Sequence, residues 1–265
     1  MPFHSHGVLR YYTLESFDEH GLIHGFFTRR GGVSPSPWAT FNHGGTNGDA
    51  RANVVENRRR MFEVFQLPVE SIFDSWQVHG RDVICADSPR PLDTPHQKAD
   101  AILTGNPEVT LVMRFADCVP VLLFDPVKRV TGIVHAGWQG TVKRAAAAAV
   151  EAMAVRYGSR PADILAGIGP SICVDHYEVS RGPEVVVAVR HAFGANAAAV
   201  LCPVNGSVHF DLWKANQIVL EECGVGRIEV TGLCTACHTE DWFSHRAEKG
   251  KTGRFGVLLS SKGLE

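Results

Sequence analysis

The sequence lacks any apolar run that approaches the roughly 20 residues of a membrane-spanning helix. Its first six residues, MPFHSH, contain neither a basic segment nor an apolar one, so we expect no signal peptide. Neither sign of charge is in excess, and a formal net charge of −2 gives no electrostatic reason to expect binding to nucleic acid or to an anionic membrane. The seven cysteines are odd in number and scattered, which favours reduced thiols in a cytoplasmic protein over a disulfide framework.

Hydrophobic periodicity predicts a single α/β domain over residues 1–265, with helices packed over mixed sheets. Short apolar runs between 101 and 135 predict consecutive strands, and later strands are expected at Ile164–Ile168, Ile228–Thr231 and Phe255–Leu259. Helices are expected from an Asp49 cap to Phe65, over Val142–Tyr157, from Pro183 to Gly194, and from an Asp211 cap to Gly224.

Three short blocks, QVHG at 77–80, ADCVP at 116–120 and VHAGW at 134–138, contain the strongest chemical pattern. The last two blocks follow apolar runs, as expected where a strand delivers a side chain to a sheet edge. Two imidazoles and a thiolate, from His79, Cys118 and His135, make a suitable zinc set with a fourth position open to water or substrate. Ligands so far apart in sequence favour a catalytic site over a compact zinc finger. Zinc is therefore the expected ion.

The same residues have two other interpretations. A single histidine or cysteine is most often a packed core residue. Cys118 could instead be a nucleophile activated by His135 or His79, and bound zinc would distinguish that enzyme from the metalloenzyme. With zinc bound, the pKa of its water would fall toward neutrality, and Asp117 is the nearest candidate for a general acid or base.

A glycine-rich basic loop provides a candidate anion site. Arg29 is followed by Gly31 and Gly32, so that a guanidinium and backbone N–H groups could bind an anion together. A turn with an exposed arginine is the alternative interpretation. Gln77 and Ser171 are further candidates for contact with substrate, although Ser171 also suits a plain tight turn.

Three other motifs are interpreted as structural. The CTACH segment at 234–238 matches the attachment pattern of c-type haem, but no export signal accompanies it. A zinc site at Cys234, Cys237 and His238 lacks a matching second C-x-x-C, so we expect none. The GKT at 250–252 lacks the first glycine of a nucleotide-binding loop. Arg58–Arg60 on a helix predicts a solvated face.

With these motifs in order, the sequence resembles the YfiH-like family, also called the laccase-domain or multicopper polyphenol oxidase-like family. The resemblance extends from Phe27 to Arg254. The segments that carry it are TRRGGVS at 28–34, QVHG at 77–80, ADCVP at 116–120, HAGWQGT at 135–141, GPSI at 169–172, YEV at 177–179, CT at 234–235 and FSHR at 243–246.

The resemblance implies a zinc site at His79, Cys118 and His135 and a layered α/β/β/α fold similar to that of cysteine hydrolases. It also implies purine nucleoside phosphorylase activity on adenosine, inosine and S-methyl-5'-thioadenosine, with adenosine deaminase activity. Arg29 and the neighbouring glycines would then hold phosphate, and Asp117 would move the proton in deamination, where zinc-bound hydroxide attacks the purine C6.

The resemblance leaves other functions open. These are hydrolytic editing of cell-wall precursors, copper-dependent polyphenol oxidation, and metal or haem binding without catalysis. A multicopper centre needs paired histidines, and the only His-x-His is His4-Ser5-His6. The sequence departs from the family pattern at Gln139, where arginine is usual, and at His245 and Ala247, where tyrosine and arginine are usual. If those arginines bind phosphate, phosphorolysis would weaken while deamination survives.

Overall fold

Two six-stranded β-sheets dominate the computed structural model, which describes residues 3–264. The strands are β1 (Phe3–His6), β2 (Leu9–Tyr12), β3 (Ile23–Phe27), β4 (Ile72–Asp74), β5 (Val83–Cys85), β6 (Ala101–Thr104), β7 (Thr110–Phe115), β8 (Val119–Asp125), β9 (Val130–Ala136), β10 (Leu165–Ile168), β11 (Leu201–Val204), β12 (Ser207–Phe210), β13 (Arg227–Val230) and β14 (Phe255–Ser260). The first sheet has the order β1-β2-β3-β14-β7-β4, the second β13-β10-β8-β9-β6-β5, and β11 and β12 form a hairpin. Both large sheets contain parallel and antiparallel pairs, as a mixed α/β fold requires.

Helices lie on the outer faces of both sheets, whereas the short helix α1 (Glu15–Asp18) packs Phe17 into the core between the sheets. The other helices are α2 (Arg51–Val64), α3 (Trp138–Val142), α4 (Ala145–Tyr157), α5 (Pro183–Phe193), α6 (Ala197–Val200) and α7 (Leu212–Glu222). Short 3-10 turns occur at Val69–Ser71, Pro161–Asp163, Val174–His176 and Gly194–Asn196. Among the helices of residues 3–264, none combines the length and the apolar character needed to cross a membrane.

Alternation of apolar side chains along the strands produces the layers. In β7, Leu111 and Met113 face a core shared with the second sheet, whereas Val112 faces α2. In β8, Leu122 faces that same shared core, whereas its neighbours pack under α4, α5 and α7. Successive side chains of a strand point to opposite faces, so each sheet is buried on both sides. The expected α/β/β/α layering is therefore confirmed.

Two details of the predicted helices are wrong. The helix expected over Val142–Tyr157 is two helices, because Arg144 adopts a left-handed conformation (φ 62°) between α3 and α4. Asp49 does not occupy the cap position of α2, which belongs to Ala50; its carboxylate accepts a hydrogen bond from the Ala50 N–H instead. The Asp211 cap of α7 is confirmed, since its carboxylate accepts a hydrogen bond from the Lys214 N–H.

The chain crosses between the sheets at two neighbouring places. Residues 75–82 lead from β4 in the first sheet to β5 in the second, and residues 116–118 lead from β7 to β8 in the same way. Strands β4 and β7 are adjacent and parallel, so both crossings leave the first sheet at the same edge. The end of β9 lies beside the start of β8, where Ala136 pairs with Val119. This arrangement brings the three blocks of the sequence analysis to one place.

Candidate functional site

The structure brings His79, Cys118 and His135 together. One ligand atom of each lies within 4.8 Å of those of the other two, and the Cys118 Sγ is 3.9 Å from the His79 Nε2. His135 is buried at the end of β9, Cys118 is half-buried in one crossing, and His79 is exposed in the other. Two imidazoles and a thiolate at this separation can hold a metal ion and leave one position open.

Asp100, which the sequence analysis missed, orients both histidines. Its Oδ1 lies 2.8 Å from the His135 Nδ1, so the other ring nitrogen of His135 faces the thiolate. The same carboxylate accepts hydrogen bonds from the backbone N–H groups of Val78, His79 and Gly80. A carboxylate behind a metal-binding histidine fixes the ring and raises its basicity. Nothing in the spacing of Asp100, at the start of a buried strand, reveals this contact.

The electrostatics of the cluster favour a thiolate. Burial alone would raise the pKa of Cys118, but the charge of His135 and hydrogen bonds from His135 and His79 lower it to about 6. Burial alone would lower the pKa of His135, but the Cys118 thiolate and the hydrogen bond to Asp100 raise it to about 9. A thiolate is the form of cysteine that binds metals and acts as a nucleophile.

Because Gly137 has no side chain, it leaves room for the side chains of Cys118 and His79. A Cβ atom at this position would lie 2.7 Å from the Cys118 Sγ and 3.2 Å from the His79 Cδ2. Real Cβ atoms do not tolerate the first distance, so a side chain here would push the thiolate away. The donor set and this close approach together suit a small bound ion.

We therefore expect Gly137→Ala to reduce metal binding and activity about 100-fold, because a displacement of about 1 Å in a reactive group can cost that much. The measurement is metal content and turnover of the folded variant. Gly45→Ala is the control, since Gly45 lines the same cavity but a Cβ there would meet nothing within 4 Å. Equal metal affinity in the Gly137 variant and the wild type would show that the thiolate does not need this space.

Asp117 lies in the cavity wall with both carboxylate oxygens engaged. The Thr235 Oγ1 donates to its Oδ1 at 2.7 Å, and the Arg246 backbone N–H donates to its Oδ2 at 2.6 Å. Its φ of 82° is rare for a residue with a side chain, as is the φ of 58° at His79. Such outliers persist only where surrounding contacts hold them. These contacts hold Asp117, and with it the adjacent Cys118 crossing, in position.

A cavity of about 850 Å³ opens over the cluster. Its lining is rich in positive charge, with one carboxylate, Asp117, against six arginines: Arg51, Arg58, Arg90, Arg114, Arg246 and Arg254. Apolar and aromatic side chains make up much of the rest, among them Trp76, Trp138, Tyr177 and Leu212. Excess positive charge in a cleft attracts anions, and apolar walls accept a flat ring system.

Asp74 organises three of these arginines from beneath the cavity. Arg90 and Arg114 contact its carboxylate at 2.8 and 2.9 Å, and His96 does so at 3.0 Å. The Arg58 guanidinium lies 3.8 Å away, beyond hydrogen-bond distance. The prediction of a solvated face at Arg58–Arg60 is therefore wrong for Arg58, whose side chain is 20% exposed and lines the cavity.

Burial tends to raise the pKa of Asp74, but the hydrogen bond from His96 and the charges of Arg114 and Arg58 lower it well below its usual range. A lowered carboxyl pKa contributes stability above the unfolded-state pKa of about 3.9, and that stability is lost as the pH falls toward the folded-state pKa. We expect Asp74→Asn to lose about 3 kcal/mol at pH 7, because it leaves buried arginines unpaired.

Urea unfolding between pH 3 and pH 7 measures this effect. The difference between wild type and Asp74→Asn should be full above about pH 5 and should shrink as the pH falls through about 4. Asp87→Asn, which removes an exposed partner of Arg156, should change little at any pH. A difference that stays constant with pH would contradict the assigned charge of Asp74.

Four of the expected substrate residues lie outside the cavity lining. The Arg29 guanidinium donates to the carbonyl groups of Ala39 and Thr239 and pairs with Glu248 at 3.0 Å. Neither it nor Gly31 or Gly32 lines the cavity, and a Cβ at Gly32 would lie 2.2 Å from a backbone oxygen. Ser171 is fully buried and accepts a hydrogen bond from the Trp213 Nε1. The glycines are therefore explained by tight packing in a loop that Arg29 fastens.

Gln77 does line the cavity, but its amide is bound to the backbone of Arg114. The Gln77 Nε2 donates to the Arg114 carbonyl at 2.8 Å, and its Oε1 accepts from the Arg114 N–H at 3.1 Å. Gln139 and His245, two of the departures from the family pattern, also line the cavity, whereas Ala247 does not.

Fold and site together define a layered α/β protein with a cysteine–histidine cluster at the base of a cationic cavity. The chain belongs to the family described as multi-copper polyphenol oxidoreductase laccase, whose sequence model matches residues 23–262. Its crystallographic neighbours include the YfiH protein of Bacillus licheniformis, with a TM-score of 0.90, 31% identity, and 98% of this chain and 99% of that chain covered. The expected resemblance to the YfiH-like family is confirmed.

Two relatives carry names that describe an activity. A purine nucleoside phosphorylase of Deinococcus radiodurans is 38% identical over 236 residues, covering 89% of this chain and 88% of that protein. The purine nucleoside phosphorylase YlmD of Bacillus subtilis is 35% identical over 249 residues, covering 91% and 89%. These names support the expectation of an enzyme.

Proposed function

We propose that the protein is a purine nucleoside phosphorylase whose active site is the cavity over His79, Cys118 and His135. The observation that carries this proposal is one cavity that combines a metal-binding cluster, six arginines and aromatic walls. The arginines can form charge-assisted hydrogen bonds to phosphate, and the aromatic walls can pack against a purine ring. The names of the relatives agree with this chemistry.

Arg58 is the best candidate for a phosphate ligand. Its two neighbours, Arg90 and Arg114, contact Asp74 at 2.8 and 2.9 Å, whereas Arg58 lies 3.8 Å from that carboxylate. Burial lowers the pKa of Arg58, Asp74 opposes that effect, and the charges of Arg114 and Arg90 add to it. An anion between these groups would relieve the repulsion. We therefore propose that phosphate binds in the cavity and not at the Arg29 loop.

His43 supplies a neutral polar group beside these arginines. It lines the cavity, and burial followed by the charges of Arg58 and Arg114 lowers its pKa to about 3. Its buried Nε2 has no hydrogen-bond partner among the described residues. A buried imidazole without a partner costs free energy unless a ligand bonds to it. We infer that His43 contacts phosphate or the ribose hydroxyl groups.

In phosphorolysis, a phosphate oxygen forms a bond to the ribose C1' as the C1'–N9 bond breaks. The electron pair of that bond leaves with the base, which receives the proton of the hydrogen phosphate. The arginines hold phosphate in line and stabilise its charge. A zinc ion held by the cluster would supply Lewis acidity and a water of lowered pKa when bound. Asp100 and Asp117 keep the cluster and the cavity wall in position.

Finer aspects of the proposal follow from the family resemblance. Adenosine, inosine and S-methyl-5'-thioadenosine are the proposed substrates, and adenosine deamination is a proposed second activity. We propose that phosphorolysis survives the Gln139 departure, because six other arginines line the cavity. The functional residues extend from His43 to Arg254, which supports one catalytic domain over residues 1–265. Seven free thiols support a reducing cytoplasm as its location.

One observation favours a second candidate. Asp100, His135 and Cys118 have the order of a nucleophilic triad, and the 2.8 Å contact between Asp100 and His135 suits a general base. A cysteine hydrolase that removes an amino acid from a cell-wall precursor would use this arrangement. Release of an amino acid from a muramoyl-amino-acid nucleotide, with no action on nucleosides, would decide for it.

Phosphate dependence tests the leading proposal. Purified protein with inosine should form hypoxanthine and ribose 1-phosphate when phosphate is present and should leave inosine intact without it. The phosphorus NMR spectrum identifies the sugar phosphate. Free ribose in place of ribose 1-phosphate, or no action on any purine nucleoside, would overturn the proposal.

Arg58→Gln tests the assigned phosphate ligand. Loss of a charge-assisted hydrogen bond costs about 1.5–3 kcal/mol, so the KM for phosphate should rise about 10- to 100-fold. The KM for inosine should change little. Arg59→Gln is the matched control, because Arg59 pairs with Glu56 and Glu63 on the exposed side of α2. Equal phosphate KM values in the two variants would remove Arg58 from the phosphate site.

A further inference from the structure

Behind the wall of the cavity, four side chains from two separate turns meet. They are Cys173 and His176, which follow β10, and Cys234 and Cys237, which follow β13. Their ligand atoms all lie within 4.8 Å of one another. The His176 Nδ1 is 3.4 Å from the Cys173 Sγ and 3.5 Å from the Cys237 Sγ.

Backbone contacts hold the two turns side by side. Ser171 forms a parallel bridge with Cys234, its N–H donates to the Leu233 carbonyl at 3.1 Å, and the Thr235 N–H donates back to the Ser171 carbonyl at 3.1 Å. Within this frame, the buried Cys234 Sγ accepts hydrogen bonds from the N–H groups of Cys173 at 3.2 Å and Cys237 at 3.4 Å. Two backbone donors hold this sulfur in place, as hydrogen-bond partners commonly do for a metal-binding group.

We propose that Cys173, His176, Cys234 and Cys237 bind a structural zinc ion, separate from the metal of the catalytic cluster. Three sulfurs and one nitrogen complete a tetrahedral shell of the kind found in structural zinc sites, with no position left for substrate. Each turn supplies two ligands with two residues between them, which is the usual spacing. The catalytic cluster differs in having three donors and an open position.

The sequence contains no second C-x-x-C to accompany Cys234 and Cys237, because the matching half of this site is Cys173-x-x-His176. His238 is not part of the group, because its Nδ1 faces Glu240 at 3.3 Å. Only the parallel pairing of the two turns brings the halves together.

A zinc ion here would fasten the cavity wall. Ile172 and Tyr177, on either side of the Cys173–His176 turn, both line the cavity. The Arg246 guanidinium, another part of the lining, donates to the carbonyl groups of His176 and Glu178 at 3.4 and 3.0 Å. Loss of the metal is therefore expected to loosen the wall and lower the melting temperature, while the catalytic cluster itself stays intact.

Zinc content of four proteins tests the proposal. Each cluster should hold about one ion per chain, so the wild type should contain both ions, Cys118→Ala only the structural one, Cys237→Ser only the catalytic one, and the double variant none. His238→Ala, next to the site but outside it, should match the wild type. His176→Asn repeats the test with an exposed side chain should Cys237→Ser fold poorly.

The two proposed metal sites can be contradicted independently of each other. If Cys237→Ser and His176→Asn contain as much zinc as the wild type, the structural site is wrong, whatever the outcome at Cys118. If wild type and Cys118→Ala each contain about one zinc ion, which Cys237→Ser removes, the catalytic metal is wrong and the structural site stands. A Cys173–Cys234 disulfide in the freshly purified protein, detected by mass spectrometry, would also overturn the proposal.

Cobalt adds a spectroscopic readout that does not depend on activity. Cobalt(II) added to zinc-free Cys118→Ala protein should give the strong visible bands of a tetrahedral site and sulfur-to-metal charge transfer in the near ultraviolet. These bands should vanish in the Cys118→Ala/Cys237→Ser protein. Cobalt bands of equal intensity in both proteins would contradict the assignment of the ligands.

Discussion

Replacement of Cys118 by alanine is expected to lower phosphorolysis at least about 1000-fold, because a bound metal contributes several kcal/mol and each 1.4 kcal/mol or so is a factor of ten. The thiolate is the only anionic ligand in the cluster, and its half-buried position limits any replacement by solvent. The measurement is initial rate with inosine and phosphate, together with zinc content. Both should fall together.

Cys223→Ala is the control for this variant. Cys223 is also a half-buried free thiol, but it packs beside the helices that cover the second sheet, away from the cavity. Its loss should leave the rate and the zinc content unchanged. Full turnover by Cys118→Ala protein that has lost the zinc ion of this cluster would show that neither that metal nor the thiolate takes part in the reaction.

Replacement of Asp100 by asparagine should weaken zinc binding about 10- to 100-fold and lower kcat by a similar factor, as the loss of a carboxylate behind a histidine ligand usually does. An amide of nearly the same size keeps one acceptor but loses the charge that His135 and three backbone N–H groups share. Competition with a chelating dye measures the zinc affinity.

Asp125→Asn is the matched control. Asp125 is as fully buried as Asp100, and its Oδ1 likewise accepts backbone N–H groups, here from Val127 and Lys128 in a turn remote from the cluster. That variant should lose stability without losing zinc affinity in the folded protein. If the two variants bind zinc equally well, Asp100 does not support the metal site.

Much of the fold followed from local patterns. Alternating apolar residues predicted the strands, and caps such as Asp211 predicted helix ends, because both depend on neighbours in sequence. The cluster of His79, Cys118 and His135 could be anticipated for a similar reason, since Cys118 and His135 each stand where an apolar run ends. The break at Arg144 could not, because the sequence continues with strong helix formers.

Contacts between segments that are distant in sequence could not be predicted from local patterns. Arg29 beside glycines has the same pattern whether it binds an anion or backbone carbonyl groups, and only the fold shows the latter. Arg58 belongs to a run of three arginines that predicted a solvated helix face, yet strand β4 places Asp74 3.8 Å from its guanidinium. The Cys173–His176 half of the second cluster becomes visible only once β10 and β13 lie side by side.

Anomalous diffraction at the zinc absorption edge tests the central claim most directly. We expect a peak in the cavity about 2.3 Å from the Cys118 Sγ and about 2.0–2.1 Å from one ring nitrogen each of His79 and His135. No peak at that position in crystals of fully active protein would contradict the claim that these residues hold the catalytic metal.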